Sequence, residues 1–288
     1  MLETLWKLFK VSRPISWVNT AYPFAATYLV LGGQIDVLFI LGTLFFLVPY
    51  NLLMYGVNDV YDYESDIRNP RKNSIEGSAE ARSFHPTILK AAFWLSFPPL
   101  VVLLLLTSWQ ASLILLAVMF FVVAYSLKGL RFKEKPFLDS ITSSIHFVGP
   151  MVFAIAIFGF AESAWPYAIA LFLWGIASHA FGAVQDVIPD RKGGLASIAT
   201  VIGARSTVWL SVILYLIASS LMLLQGGWVV LVGLAGLSYA AIVAPYLAIT
   251  DKTSPAANKG WRRFIWLNYA VGAVVTIVII LVNVPLAA

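Results

Sequence analysis

Long apolar runs separated by short charged stretches organise this chain. No charged residue lies between Arg13 and Asp36, Asp36 and Asp59, Lys90 and Lys128, Asp139 and Glu162, Glu162 and Asp186, or Arg205 and Asp251, and none follows Arg263. A helix that crosses a bilayer needs about 20 apolar residues. The gaps after Lys90 and Arg205 are long enough for two crossings each, with turn signals at Thr107-Ser108-Trp109-Gln110 and Gln225-Gly226-Gly227. The pattern predicts an all-α integral membrane bundle of nine helices, over 14–31, 37–57, 87–107, 110–127, 139–160, 164–184, 207–224, 228–249 and 264–286. Residues 2–10 put Leu2, Leu5, Trp6 and Phe9 at helical spacing opposite Lys7 and Lys10, as in an interfacial helix; no cleavable signal is expected before the first span.

Nine spans place all 19 Lys and Arg on the side of the N-terminus, and leave the other side only Asp36 and Glu162. A wrong span count scatters positive charge over both faces. The asymmetry predicts a cytoplasmic N-terminus, in the plasma membrane. Composition agrees: of 288 residues, 60% are hydrophobic and 11% charged, with a mean hydropathy of +0.85. A soluble domain carries about 25% charged residues. A disordered chain and a disulfide scaffold are excluded, the latter by the absence of Cys. The net charge of +5 is the mark of basic cytoplasmic loops and not of a nucleic-acid binder.

The acids show where chemistry lies. Four of the 14 sit in NDVYDYESD (58–66), at the end of the second span, and two more in QDVIPDRKG (185–193), at the end of the sixth. If the second helix runs on past residue 58, Asn58, Asp62, Asp66 and Asp59 fall at roughly 0°, 40°, 80° and 100° around it, within one arc. Glu64 points elsewhere. Asp186 and Asp190 are also one turn apart, although Pro189 is expected to break that helix. Clustered carboxylates at helix C-termini repel one another and the helix dipole, and a cation relieves both. Carboxylate and amide oxygens suit Mg²⁺, which takes substrate phosphates as further ligands. The same side carries Arg68, Arg71, Lys72, Lys128, Arg131, Lys133, Lys135, Arg191 and Lys192. Acids, bases and an apolar bundle together describe a substrate with a diphosphate head and a hydrocarbon tail. Solvated loop acids are the bland alternative, but each cluster is an amide followed by Asp-Val, which points to a duplicated unit whose copies face one cavity.

These residues resemble the UbiA superfamily of intramembrane prenyltransferases. NDVYDYESD matches its first motif, NDxxDxxxD; Asp186-Val-Ile-Pro-Asp190 matches its second, DxxxD; YSLKGLRFKEKPFLD (125–139) lies between them. The resemblance covers the whole chain, 1–288, as a single domain, with pseudo-repeated halves near 14–127 and 139–249 and a ninth helix. It implies a bundle around a central cavity open to lipid, and two Mg²⁺ ions that ionise an allylic diphosphate. Asn58, Asp62 and Asp66 are then ligands of one ion, Asp186 and Asp190 of the other, and Asp59 supports the metal site. Lys128 and Arg131 grip the diphosphate, with Arg71 or Lys72 closing over it.

Tyr55, Tyr125 and Trp174 are candidates for stabilising a carbocation, with bundle packing as the competing explanation for each. His146 and His179 lie inside predicted spans and are read as structural in preference to proton acceptors. Residues 178–207 and 58–72 are similar to the lycopene elongase branch, which implies dimethylallyl diphosphate as donor and lycopene as acceptor. Asn73-Ser74 departs from the Thr-Arg-Pro turn of many members. A neutral acceptor also suits the scarcity of bases: Arg13 is the only one bordering the first span. Prenylation of an aromatic quinone precursor such as 4-hydroxybenzoate, or of a tetrapyrrole, is the alternative within the enzyme class. A cation or phospholipid transporter is the alternative outside it, disfavoured because transporters place ionisable sites near the midplane.

Overall fold

The computed structural model describes residues 1–66 and 80–283, with the side chains of Ser65 and Asp66 left out. Among these residues every regular element is a helix. The chain divides into two compact units, Met1–Phe132 with His146–Ala161, and Lys133–Ile145 with Glu162–Ala288.

The first unit opens with α1 (Leu2–Val11), an amphipathic helix whose Leu2, Leu5, Trp6 and Phe9 are exposed. It continues through α2 (Val18–Val30), α3 (Val37–Leu47), α4 (Pro49–Asp66), α5 (His85–Leu106) and α6 (Trp109–Ser126). Its core is aromatic: Phe24 packs on Phe46 and Phe153 with ring centroids 5.3 and 5.8 Å apart. Next comes α7 (Leu138–Ile157), whose residues fall in both units.

The second unit contains α8 (Trp165–Val184), two short helices, α9 (Val187–Gly193) and α10 (Ile198–Ile202), and then α11 (Ala204–Leu223), α12 (Val230–Val243) and α13 (Asn258–Asn283). Without a hydrophobic drive between helices in lipid, close approach depends on small residues. Gly175 of α8 shows this. A Cβ there would lie 2.3 Å from Ser144 Oγ, and that hydroxyl donates to the Phe172 carbonyl at 2.6 Å.

Eight helical stretches among the described residues are long and apolar enough to cross a bilayer: Val37–Glu64, Arg82–Leu106, Trp109–Ser126, Leu138–Ile157, Glu162–Val184, Ala204–Leu223, Gly227–Tyr246 and Asp251–Asn283. They coincide with eight of the nine expected spans. The other, 14–31, is a 3-10 turn at Pro14–Ser16 followed by the 13 residues of α2. Such a helix is about 20 Å long.

The second expected span is broken where α3 gives way to α4. Pro49 has no N–H to donate, so the ladder fails at this point. Asn51 repairs it: its Nδ2 donates to the carbonyls of Phe46 (2.9 Å) and Leu47 (3.0 Å) and to Thr20 Oγ1 (2.7 Å). The Thr20 hydroxyl in turn donates to Phe46 O at 2.7 Å. Asn51 and Thr20 are completely buried, and in an apolar bundle each unmet carbonyl would be costly.

Candidate active site

From Pro49 the helix α4 runs without interruption to Asp66, so the first acidic motif is helical throughout. Asn58 and Asp62 are therefore one turn apart on one face. Ser126, the last residue of α6, donates its hydroxyl to Asn58 Oδ1 at 2.9 Å. Beyond it the chain turns through Leu127, whose carbonyl accepts from Leu130 N (3.1 Å) and Arg131 N (3.0 Å). Gly129 at φ +97° makes this turn possible, and Arg131 itself is left-handed at φ +40°. The turn delivers the Arg131 guanidinium to within 3.5 Å of Asp62 Oδ1, a partly exposed pair. Lys128 sits exposed on the same turn. Asn58, Asp62, Ser126 and Arg131 are thus linked in one place.

Asp59 faces another neighbour. Arg13, left-handed at φ +50°, donates from Nη2 to Asp59 Oδ1 at 2.5 Å. The Asp59 side chain is 3% exposed and that of Arg13 12%, so this is a buried ion pair. The same guanidinium lies 4.3 Å from the centroid of the Tyr55 ring, one turn before Asp59. Tyr55, a candidate for facing a carbocation, faces an arginine here. In the sequence Arg13 stands out only as a base beside the first span. Glu64 points away from this face and pairs with Arg82.

The second motif is mounted on a helix restart. The break expected at Pro189 falls earlier: α8 stops at Val184, Asp186 has φ −98° and ψ −1°, and α9 begins at Val187. Pro189 is then the third residue of a new helix, where no intrahelical donor is required. Asp190 N donates to Asp186 O at 2.9 Å, so the two acids stay one turn apart despite the proline. Gln185 is buried. It donates to Gly182 O at 2.9 Å, and its Oε1 accepts from Asn258 Nδ2 at 2.6 Å. Arg191 grips the Thr200 carbonyl and Asp251 Oδ2, the latter at 2.6 Å.

Asp139 carries a role that sequence reasoning missed. Completely buried, it accepts from Ser140 N and from Ile198 N, both at 2.7 Å, and so satisfies the first N–H of α10. His146 packs under the edge of Tyr125 with centroids 5.0 Å apart, and its carbonyl accepts from Tyr50 Oη at 3.0 Å. His179 Nδ1 is 3.0 Å from Ser140 Oγ. Trp174 stacks on Phe264 and meets the edge of Tyr239. Arg71 and Lys72 lie outside the described residues, as does the Asp66 side chain.

Among the described residues no three His, Asp or Glu side chains converge on a metal position. The chemistry of the first motif nevertheless fits a hard divalent cation. Asn58 and Asp62 offer an amide oxygen and a carboxylate from adjacent turns, and Ser126 and Arg131 hold both in place. An all-oxygen set of this kind suits Mg²⁺, which keeps several waters, better than a soft metal.

The model of the UbiA prenyltransferase family matches residues 20–282. The chain belongs to this family. A lycopene elongase/hydratase of Corynebacterium glutamicum is 50% identical over 98% of this chain and 99% of its own length. One of Haloarcula japonica is 33% identical over 74% of this chain and 72% of its own. Within the UbiA family the chain therefore falls in the lycopene elongase branch. The fold agrees with that of a UbiA homologue from Archaeoglobus fulgidus solved with DMAPP and Mg²⁺, at a TM-score of 0.65 and 18% identity, covering 92% of this chain and 98% of the other. The protein is a multi-pass membrane prenyltransferase.

Proposed function

We propose that this UbiA-family enzyme transfers a C5 dimethylallyl group from dimethylallyl diphosphate to lycopene, in the synthesis of C50 carotenoids. The observation that carries the reading is the 50% identity, end to end, with a lycopene elongase/hydratase. The geometry adds support on the acceptor side. A carboxylated acceptor needs a base, and Arg13, the one base bordering the first span, is engaged by Asp59 and Tyr55. A hydrocarbon needs none.

In this reading Asn58, Asp62 and Asp66 hold one Mg²⁺ ion and Asp186 and Asp190 a second; the homologue solved with DMAPP and Mg²⁺ supports both donor and metal. Magnesium supplies Lewis-acid stabilisation of the leaving diphosphate. Asp59 supports the site by locking α4 to Arg13. Arg131, already beside Asp62, turns to the diphosphate with Lys128, and Arg71 and Lys72 close over it. Their positive charge meets the negative charge that develops as the allylic C–O bond breaks. Tyr125 offers a π face to the allylic cation, and the apolar bundle keeps water from it. A terminal double bond of lycopene attacks C1 of the donor, forming the C–C bond and moving the positive charge onto the polyene. Addition of water there, with loss of one proton, gives an alcohol, and the word hydratase in the relatives' names favours this over simple proton loss.

The chain acts as one domain over 1–288, with nine spans that include 14–31. Its N-terminus and acidic motifs face the cytoplasm from the plasma membrane, in keeping with the one-sided Lys and Arg. The test is incubation of purified protein with Mg²⁺ and dimethylallyl diphosphate, offering lycopene or 4-hydroxybenzoate, with products weighed. A C5 increment on lycopene that EDTA abolishes is the expected result. An increment on the aromatic acid alone discards the acceptor.

A further inference from the structure

The start of α13 carries an arrangement the reaction does not use. Lys259, Arg262, Arg263 and Trp266 occupy positions i, i+3, i+4 and i+7, one face of the helix. With Pro255 and Ala256 they line an open groove of about 630 Å³. All three cations are exposed, and none has an acidic partner among the described residues. The nearest acid in sequence, Asp251, is engaged by Arg191 and by Ala204 N at 2.7 Å. Three like charges within little more than one turn repel one another, and no carboxylate among the described residues relieves them.

The surroundings say which anion fits. Arg263 is the last charge before a mostly apolar, uncharged run to the end of α13. Trp266 is 70% exposed at that boundary, the depth at which tryptophan sits among headgroups. Below it Tyr269, Ile277 and Ile280 are exposed down the same side, an apolar track leading away from the cations. We propose that this groove binds the phosphate of an anionic phospholipid, whose acyl chains lie along the Trp266–Ile280 track. A free phosphate satisfies the cations but leaves the track without an occupant.

The test uses full-length protein in bilayers of phosphatidylcholine alone or of equal parts phosphatidylcholine and phosphatidylglycerol. The thermal midpoint is read in each, and phosphatidylglycerol retained after detergent extraction is counted by native mass spectrometry. The wild type should retain phosphatidylglycerol and melt higher in the mixed bilayer. The triple variant Lys259→Gln, Arg262→Gln, Arg263→Gln should lose both effects and melt like the wild type in phosphatidylcholine alone, which shows that it folds. Arg262→Gln by itself should weaken retention about fivefold. Equal retention by the triple variant and the wild type overturns the proposal. Displacement of the lipid by inorganic diphosphate overturns it too, because the groove would then be a site for soluble phosphates.

Discussion

The two acidic motifs read alike in sequence but are mounted in different ways. In the first unit the amide and the acids ride one unbroken helix, and arginines from elsewhere come to meet them: Arg13 to Asp59, Arg131 to Asp62, Arg82 to Glu64. In the second the helix stops at the amide. Gln185 ties the end of α8 to the start of α13, and Arg191 ties α9 to Thr200 and Asp251. The same amide-Asp-Val pattern therefore sets its amide against Ser126, one turn from Asp62, in one copy and pins it to Asn258 in the other. The first unit shows a second contrast, between neighbouring acids: Asp59 is locked in a buried pair, while Asp62 meets its arginine at a longer 3.5 Å. Both arginines are left-handed, a conformation that costs a non-glycine residue about 1–2 kcal/mol and has to be held by its surroundings. The protein bears that cost where it sets the charge around the first motif.

Substitutions separate these roles. Asp62→Ala should lower turnover at least about 100-fold, the scale of losing a main electrostatic contact in a transition state, with little change in melting. Asp59→Asn should act mainly on stability. Breaking a buried ion pair costs about 3–5 kcal/mol, and denaturation of the Arg13→Met, Asp59→Leu double variant should show part of that recovered. The amides sharpen the contrast between the two motifs. Gln185→Leu leaves Asn258 and Gly182 short of partners and should cost about 1–3 kcal/mol with activity retained, whereas Asn58→Leu should abolish turnover. Loss of activity in both variants would make the two amides equivalent. The smallest effect is expected from the Arg191–Asp251 pair, whose side chains are 45% and 39% exposed. Arg191→Gln should destabilise by about 1 kcal/mol or less in a thermal scan.

The membrane spans were legible because charge punctuates this chain so sharply, and the helical continuation through 58–66 because the motif's spacing has meaning only on a helix. The break at Pro49 could have been read from the proline and the polar Asn51 two residues later, inside an apolar run. The partners could not. Arg13 and Asp59 are 46 residues apart, and Asp139 and Ile198 are 59 apart. No periodicity links residues that only tertiary packing brings together. Pro189 misled for a related reason. A proline marks a tolerated position as readily as a break, and which of the two it is depends on where the helix restarts. The repeated amide-Asp-Val pattern points to a duplicated unit, and hides the different partner of each amide.

The central claim is that adjacent acids of one motif divide the work, Asp62 at the chemistry and Asp59 in the scaffold. Turnover of dimethylallyl diphosphate against Mg²⁺ concentration, measured beside the thermal midpoint for Asp62→Ala and Asp59→Asn, tests it most directly. The account predicts an inactive Asp62→Ala protein that melts like the wild type, and an active Asp59→Asn protein that melts earlier. An active Asp62→Ala protein, or an Asp59→Asn protein that is inactive at an unchanged midpoint, would contradict it.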